Sequence, residues 1–252
     1  MKIYKIGFLI VLMIFSSFKK EDSKKQISIY TIGDSTMADK INPDENPERG
    51  WCQVLPQFLN DNVVVKNHAV NGRSTRSFID EKKWDAVYHQ LKKGDYVFIQ
   101  FGHNDQKEKD PKRYTNPTTA YRNNLIKFVN ESREKGAIPV LFTSIVRRNF
   151  NEEGTLVDTH TMYPFVVRFV ANELNVPFID LQYLTEKLEE SYGVDASKKL
   201  HLHYQPNEIS YYPKGKEDNT HLSVLGATEV AKLAVLELSK NVKNFSNFIK
   251  KD

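Results

Sequence analysis

Five short apolar runs recur along the chain: Ile27 to Ile32, Val63 to Asn67, Tyr96 to Phe101, Ile138 to Ile145 and Val176 to Asp180. Each is apolar almost throughout and rich in Val and Ile, the signature of a strand buried on both faces rather than one with a wet side. Between them lie segments with helical spacing, at Thr118 to Glu134, Tyr163 to Leu174, Leu181 to Tyr192 and Ser223 to Leu238. Strands alternating with helices in this way predict an α/β fold, one parallel sheet of about five strands with helices on both faces. No linker or long charge run divides the chain, so residues 26–252 are expected to form a single domain. Asp195 to Asp218, rich in His, Tyr and Pro, reads as a long loop, a feature compact domains keep where it has a function.

The first residues have a different character. Lys2 and Lys5 precede an apolar run from Ile6 to Phe15, followed by Ser16-Ser17 and a polar stretch. That layout is a secretory signal peptide, placed at residues 1–25 with its polar lead-in. The run is shorter than the roughly 20 residues a spanning helix needs, so no stable membrane anchor is expected. The mature protein is then periplasmic or extracellular. Its only cysteine, Cys52, excludes an internal disulfide and reads as a small buried hydrophobe. With 36 basic against 32 acidic residues the net charge is +4, too small an excess to call for nucleic acid. A monomer is expected.

In an open parallel sheet, ligands gather at the carboxyl ends of the strands. The first strand runs into Gly33-Asp34-Ser35, where a sharp turn lifts a serine hydroxyl above the sheet at the start of a following helix. The second is followed by Asn71-Gly72-Arg73-Ser74, which offers an unobstructed backbone N–H. The third ends in Gly102-His103-Asn104-Asp105, whose asparagine amide suits a developing oxyanion. Near the C-terminus, Asp218-Asn219-Thr220-His221 spaces a carboxylate so that it can turn back on one histidine nitrogen and leave the other free for a proton. Singly, each motif is explained by turns and helix caps. Together they supply a nucleophile, oxyanion donors, an acid and a base.

The four blocks resemble those of the SGNH (GDSL-type) hydrolase superfamily. Longer stretches, namely Gly33 to Ala38, Asn71 to Phe78, Phe101 to Gln106, Val157 to His160 and Asp218 to His221, are similar to rhamnogalacturonan acetylesterases, particularly bacterial ones. The likeness runs from Ile27 to about Leu238. It implies a flavodoxin-like three-layer α/β/α sandwich that uses no metal or cofactor. Ser35 is then the nucleophile, His221 the base and Asp218 its orienting acid, with the backbone N–H groups of Ser35 and Gly72 and the Asn104 amide as oxyanion hole. The implied activity is removal of acetyl groups from an acetylated acidic polysaccharide or oligosaccharide.

Asp34, Arg73, His103 and Tyr204 are candidate substrate contacts. Arg76, Arg147 and Arg148 are further candidates for carboxylate recognition, as are Tyr211 and Tyr212 for stacking on sugars. His201-x-His203 lacks the second ligand pair that a zinc site needs. Three other readings stay open: a broader carbohydrate O-acetylesterase, a lipase or thioesterase of the same superfamily, and a carbohydrate-binding protein with a decayed site.

Overall fold

The computed structural model describes residues 26–251; the expected signal peptide lies outside them. In chain order the strands are β1 (Ile27–Gly33), β2 (Glu48–Arg49), β3 (Val63–Asn67), β4 (Tyr96–Gln100), β5 (Ile138–Phe142), β6 (Phe178–Ile179), β7 (His201–Tyr204) and β8 (Lys216–Ser223). The helices are α1 (Trp51–Val54), α2 (Thr75–Asp80), α3 (Lys83–Tyr88), α4 (Arg122–Glu134), α5 (Tyr163–Glu173), α6 (Leu181–Ala196) and α7 (Val224–Asn241).

The main sheet has the order β3-β1-β4-β5-β6, with every neighbouring pair parallel. Alternate side chains of a strand point to opposite faces, and here each face has its own core. Ile29, Tyr96, Phe98 and Phe142 join α1, α7 and the C-terminal Phe245 on one side. Tyr30, Val97, Ile99 and Leu141 meet Phe78, Trp84, Phe128 and Val166 from α2, α3, α4 and α5 on the other. This is the expected three-layer α/β/α sandwich of five parallel strands. Cys52 is buried in the first of these cores, as expected.

β1 has β3 on one side and β4 on the other, so the chain reverses its direction of travel across the sheet at β1. Such switch points open a crevice at the strands' carboxyl ends, and Ser35 sits directly beyond that end of β1.

Two expectations need correction. Asp195 to Asp218 is not a long loop: β7 and the start of β8 lie in it, and with β2 they form a second, antiparallel sheet ordered β2-β8-β7. The pattern failed because β8, Lys-Glu-Asp-Asn-Thr-His-Leu-Ser, is polar but for Leu222. It is held by ladder hydrogen bonds on a half-exposed sheet and not by an apolar face. Nor does Ser35 begin a helix. Met37 N–H and Ala38 N–H both donate to the Asp34 carbonyl, closing one isolated turn, and the next helix starts at Trp51.

Candidate active site

Ser35 and His221, 186 residues apart, meet with Oγ 3.0 Å from Nε2. The other ring nitrogen, Nδ1, lies 2.8 Å from Asp218 Oδ2. Asp218 and His221 both lie on β8, where the three-residue spacing lets Asp218 curl back: its Oδ1 accepts from the N–H groups of Thr220 at 2.9 Å and His221 at 3.0 Å. Burial alone would raise the Asp218 carboxyl, but the hydrogen bonds from the His221 ring and backbone outweigh it and hold the group well below the usual carboxylate range. Asp218 is therefore ionised and fixes the ring with Nε2 toward the serine.

Two of the three expected oxyanion donors are unengaged. Among the described residues, neither Ser35 N–H nor Gly72 N–H has a hydrogen-bond partner. Gly72 has φ +76°, a left-handed conformation that glycine adopts without strain. Asn104 Nδ2 donates one bond to the Arg73 carbonyl at 3.1 Å, while Arg113 Nη1 stands 3.5 Å from Asn104 Oδ1. This fixes the amide with nitrogen toward the loop that carries Gly72.

Lys40, which no local sequence pattern marks, ties the pieces together. Its side chain is 2% exposed, and Nζ donates to the Ser35 carbonyl at 2.6 Å and to Asn71 Oδ1 at 2.7 Å, and pairs with Glu48 Oε1 at 2.8 Å. One ammonium thus links the serine turn, the Gly72 loop and β2, the strand that pairs with β8. Asp105 does similar work on the far side of that loop. It is fully buried and accepts from Thr75 N–H at 3.0 Å, Thr75 Oγ1 at 2.5 Å and Thr115 Oγ1 at 2.7 Å, anchoring the start of α2. Burial pushes its carboxyl up to about 7 despite those bonds.

Two of the candidate substrate contacts lie beneath the surface. Asp34 is fully buried, its Oδ1 accepting from the Thr36 N–H at 3.0 Å and hydroxyl at 2.9 Å, and His103 Nδ1 lies 3.5 Å from its Oδ2. Burial works to raise Asp34, but His103 and Thr36 together bring it down to about 2. Burial lowers His103 to about 4, leaving the ring neutral near pH 7. His103 also packs edge-on against buried His160, with centroids 4.6 Å apart. These groups shape the turns that bear Ser35 and Asn104 and leave no surface for substrate.

Arg73 and Tyr204 remain partly exposed, although Arg73 is already paired with Glu81 at 2.9 Å and Tyr204 stands beside Tyr212. Tyr211 packs edge-on against Tyr212. The other arginines are engaged internally. Arg76 donates to the Pro111 carbonyl, and Arg147 to Thr159 Oγ1. Arg148 bonds Asn219 Oδ1, Ser197 Oγ and the Val194 carbonyl, which stitches the segment between Asp218 and His221 to the end of α6. His201 and His203 are likewise occupied, with Glu189 and Asn219.

The chain is 47% identical over 210 residues to rhamnogalacturonan acetylesterase RhgT of Bacillus subtilis (strain 168), covering 83% of this chain and 88% of that protein. It is 29% identical over 227 residues to a rhamnogalacturonan acetylesterase of Emericella nidulans, with 81% of each covered. Among solved structures, protein YXIM_BACsu from Bacillus subtilis superposes with a TM-score of 0.74 at 26% identity, over 87% of this chain and 58% of that one. The acetylxylan esterase Axe2 from Geobacillus stearothermophilus shares the fold, with a TM-score of 0.57 at 19% identity over 85% of this chain and 94% of that one. Residues 31–227 match the model of the GDSL-like Lipase/Acylhydrolase family; the chain belongs to that family and is a carboxylic ester hydrolase.

Proposed function

We propose that this esterase removes acetyl groups from plant cell-wall polysaccharide, with rhamnogalacturonan as its substrate, using Ser35 as nucleophile, His221 as base and Asp218 as orienting acid. The observation that carries the chemistry is the continuous chain Ser35 Oγ–His221–Asp218 at 3.0 and 2.8 Å, with the N–H groups of Ser35 and Gly72 unpartnered among the described residues. The likeness to RhgT supports the choice of substrate.

His221 Nε2 takes the Ser35 proton as Oγ attacks the acetyl carbonyl carbon. The negative charge that develops on the carbonyl oxygen is met by the N–H groups of Ser35 and Gly72 and by Asn104 Nδ2. Donors placed before the reaction need no reorganisation when that charge appears. The imidazolium, stabilised by ionised Asp218, returns its proton to the departing sugar hydroxyl. Water then attacks the acetyl-serine with the same base and the same oxyanion donors, releasing acetate. Partly exposed Arg73 and Tyr204 are the proposed contacts to the sugar chain. Action on a cell-wall polymer agrees with the proposed export by the leader.

The test is acetate release from acetylated rhamnogalacturonan, acetylated xylan and 4-nitrophenyl acetate by the purified protein and its Ser35→Ala variant. Ser35-dependent release that favours rhamnogalacturonan supports the reading. Equal release from xylan replaces it with a broader O-acetylesterase, and release from neither polymer removes the polysaccharide as substrate.

A further inference from the structure

Against the backbone of the proposed base, His201 and Glu189 form a buried pair that the reaction does not use. His201, at the start of β7, is 2% exposed, and Glu189, on α6, is 3% exposed. His201 Nε2 lies 2.6 Å from Glu189 Oε1, and Nδ1 lies 3.1 Å from the backbone carbonyl of His221. Ser35, His221, His201 and Glu189 therefore stand in one connected line.

A carbonyl oxygen only accepts, so Nδ1 must carry a hydrogen, and the short contact on Nε2 requires one more proton between ring and carboxyl. The pair thus holds two protons and is neutral as a unit, which suits its surroundings. The small void beside it is lined by Ile145, Leu188, Leu222 and Val230 among others, with no ionisable group apart from these two. The ladder between β7 and β8 is irregular here. His201 pairs with Leu222, Leu202 pairs with Asp218, and the register shifts between them. The segment from Asp218 to His221 thus bows away from regular pairing where the His201 ring reaches its carbonyl.

We propose that Glu189 and His201 are positioning residues for the reaction, a buried donor relay that holds the His221 backbone so that its ring meets Ser35. This rests on His221 being the base. A carboxylate on α6 is thereby coupled to the geometry of a histidine it does not touch. Misplacing a base by about 1 Å can cost on the order of a hundredfold in rate, so the role is visible in turnover.

The experiment is steady-state hydrolysis of 4-nitrophenyl acetate by the full protein, well below each variant's melting temperature, with Ser35→Ala alongside. Glu189→Leu and His201→Phe should each lower kcat about ten- to hundredfold with KM within about twofold. Glu189→Gln should stay within about threefold of the parent, because its amide can donate to Nε2 and leave Nδ1–H on the carbonyl. The double variant Glu189→Leu/His201→Phe should be no worse than the poorer single one, as expected for groups acting in series. Parent-like kcat in Glu189→Leu with only a lowered melting temperature assigns the pair a purely structural role and overturns the proposal. So does a Gln variant as poor as the Leu one; if Glu189→Leu does not fold, the contrast between Glu189→Gln and His201→Phe decides. Hydrolysis that survives Ser35→Ala overturns the underlying reading itself, and that outcome is separate from any result at Glu189.

Discussion

The buried ammonium of Lys40 donates to the backbone carbonyl of Ser35 at 2.6 Å, so the turn that bears Ser35 is held by a charged group and not by packing alone. The same ammonium carries Asn71 and Glu48. Removing it strands the Glu48 carboxylate, a backbone carbonyl and an amide oxygen at once. Lys40→Met is expected to cost about 2–4 kcal/mol of stability and to lower kcat about tenfold or more. Thermal melts and esterase kinetics on the same preparation check this, and parent-like values for both would remove Lys40 from the site.

Asn104→Ala deletes one of the three proposed oxyanion donors while leaving Ser35 and His221 in place. Turnover should fall about a hundred- to a thousandfold. The change in melting temperature should be small, since the lost bond to the Arg73 carbonyl is partly exposed. A loss below about fivefold in kcat would falsify the amide's role.

Gly72→Ala tests backbone conformation and not space. A Cβ there would meet nothing closer than Arg113 Nη1 at 3.7 Å, an ordinary contact, but φ is +76°. Left-handed backbone costs a residue with a side chain about 1–2 kcal/mol, and relaxing that strain turns the N–H away from the oxyanion. Asn tolerates this region better than β-branched residues, so activity should rank Gly72, then Gly72→Asn, then Gly72→Val. The reverse order of the two variants would show that side-chain bulk, and not φ, governs the loop.

Asp105→Asn should change how stability depends on pH. With its folded carboxyl raised to about 7, the native state keeps a proton that the unfolded chain releases near its ordinary value of about 4. Stability from this group is therefore lost as pH rises between those two values. His103, lowered to about 4, acts in the opposite sense as pH rises from about 4 to 6.5, but it does so equally in both proteins. The melting temperature of Asp105→Asn relative to the parent should thus increase steadily from pH 4 to 7. A difference that does not vary with pH means that Asp105 titrates alike in the folded and unfolded chain.

The main sheet was legible because strands buried on both faces must be apolar, and Ile29, Val97 and Ile99 leave little alternative. The meeting of Ser35, His221 and Asp218 was legible because short polar blocks at strand ends are few. What escaped has a common cause. β8 is paired through its backbone, so its side chains carry no period. Lys40, Asp105 and Glu189 take their roles from burial by segments far away in the chain, which no local pattern records. Arg147 and Arg148 show the converse, since loop arginines that suggested carboxylate recognition turn out to be bonded to the protein's own carbonyls, hydroxyls and amides.

The two halves of the site belong to different sheets. Ser35 is rooted in the parallel sheet between two apolar cores, whereas Asp218 and His221 ride on a polar strand in which no side chain before Leu222 is fully buried. Regions with few buried apolar contacts open at lower free energy than the core. The amides of β8 should therefore exchange with solvent sooner than those of β1 and β4, and catalysis should fail on heating before the main sheet melts. With Asp218 and His221 in their proposed roles, activity should gauge one small sheet's fluctuations and not the fold's global survival.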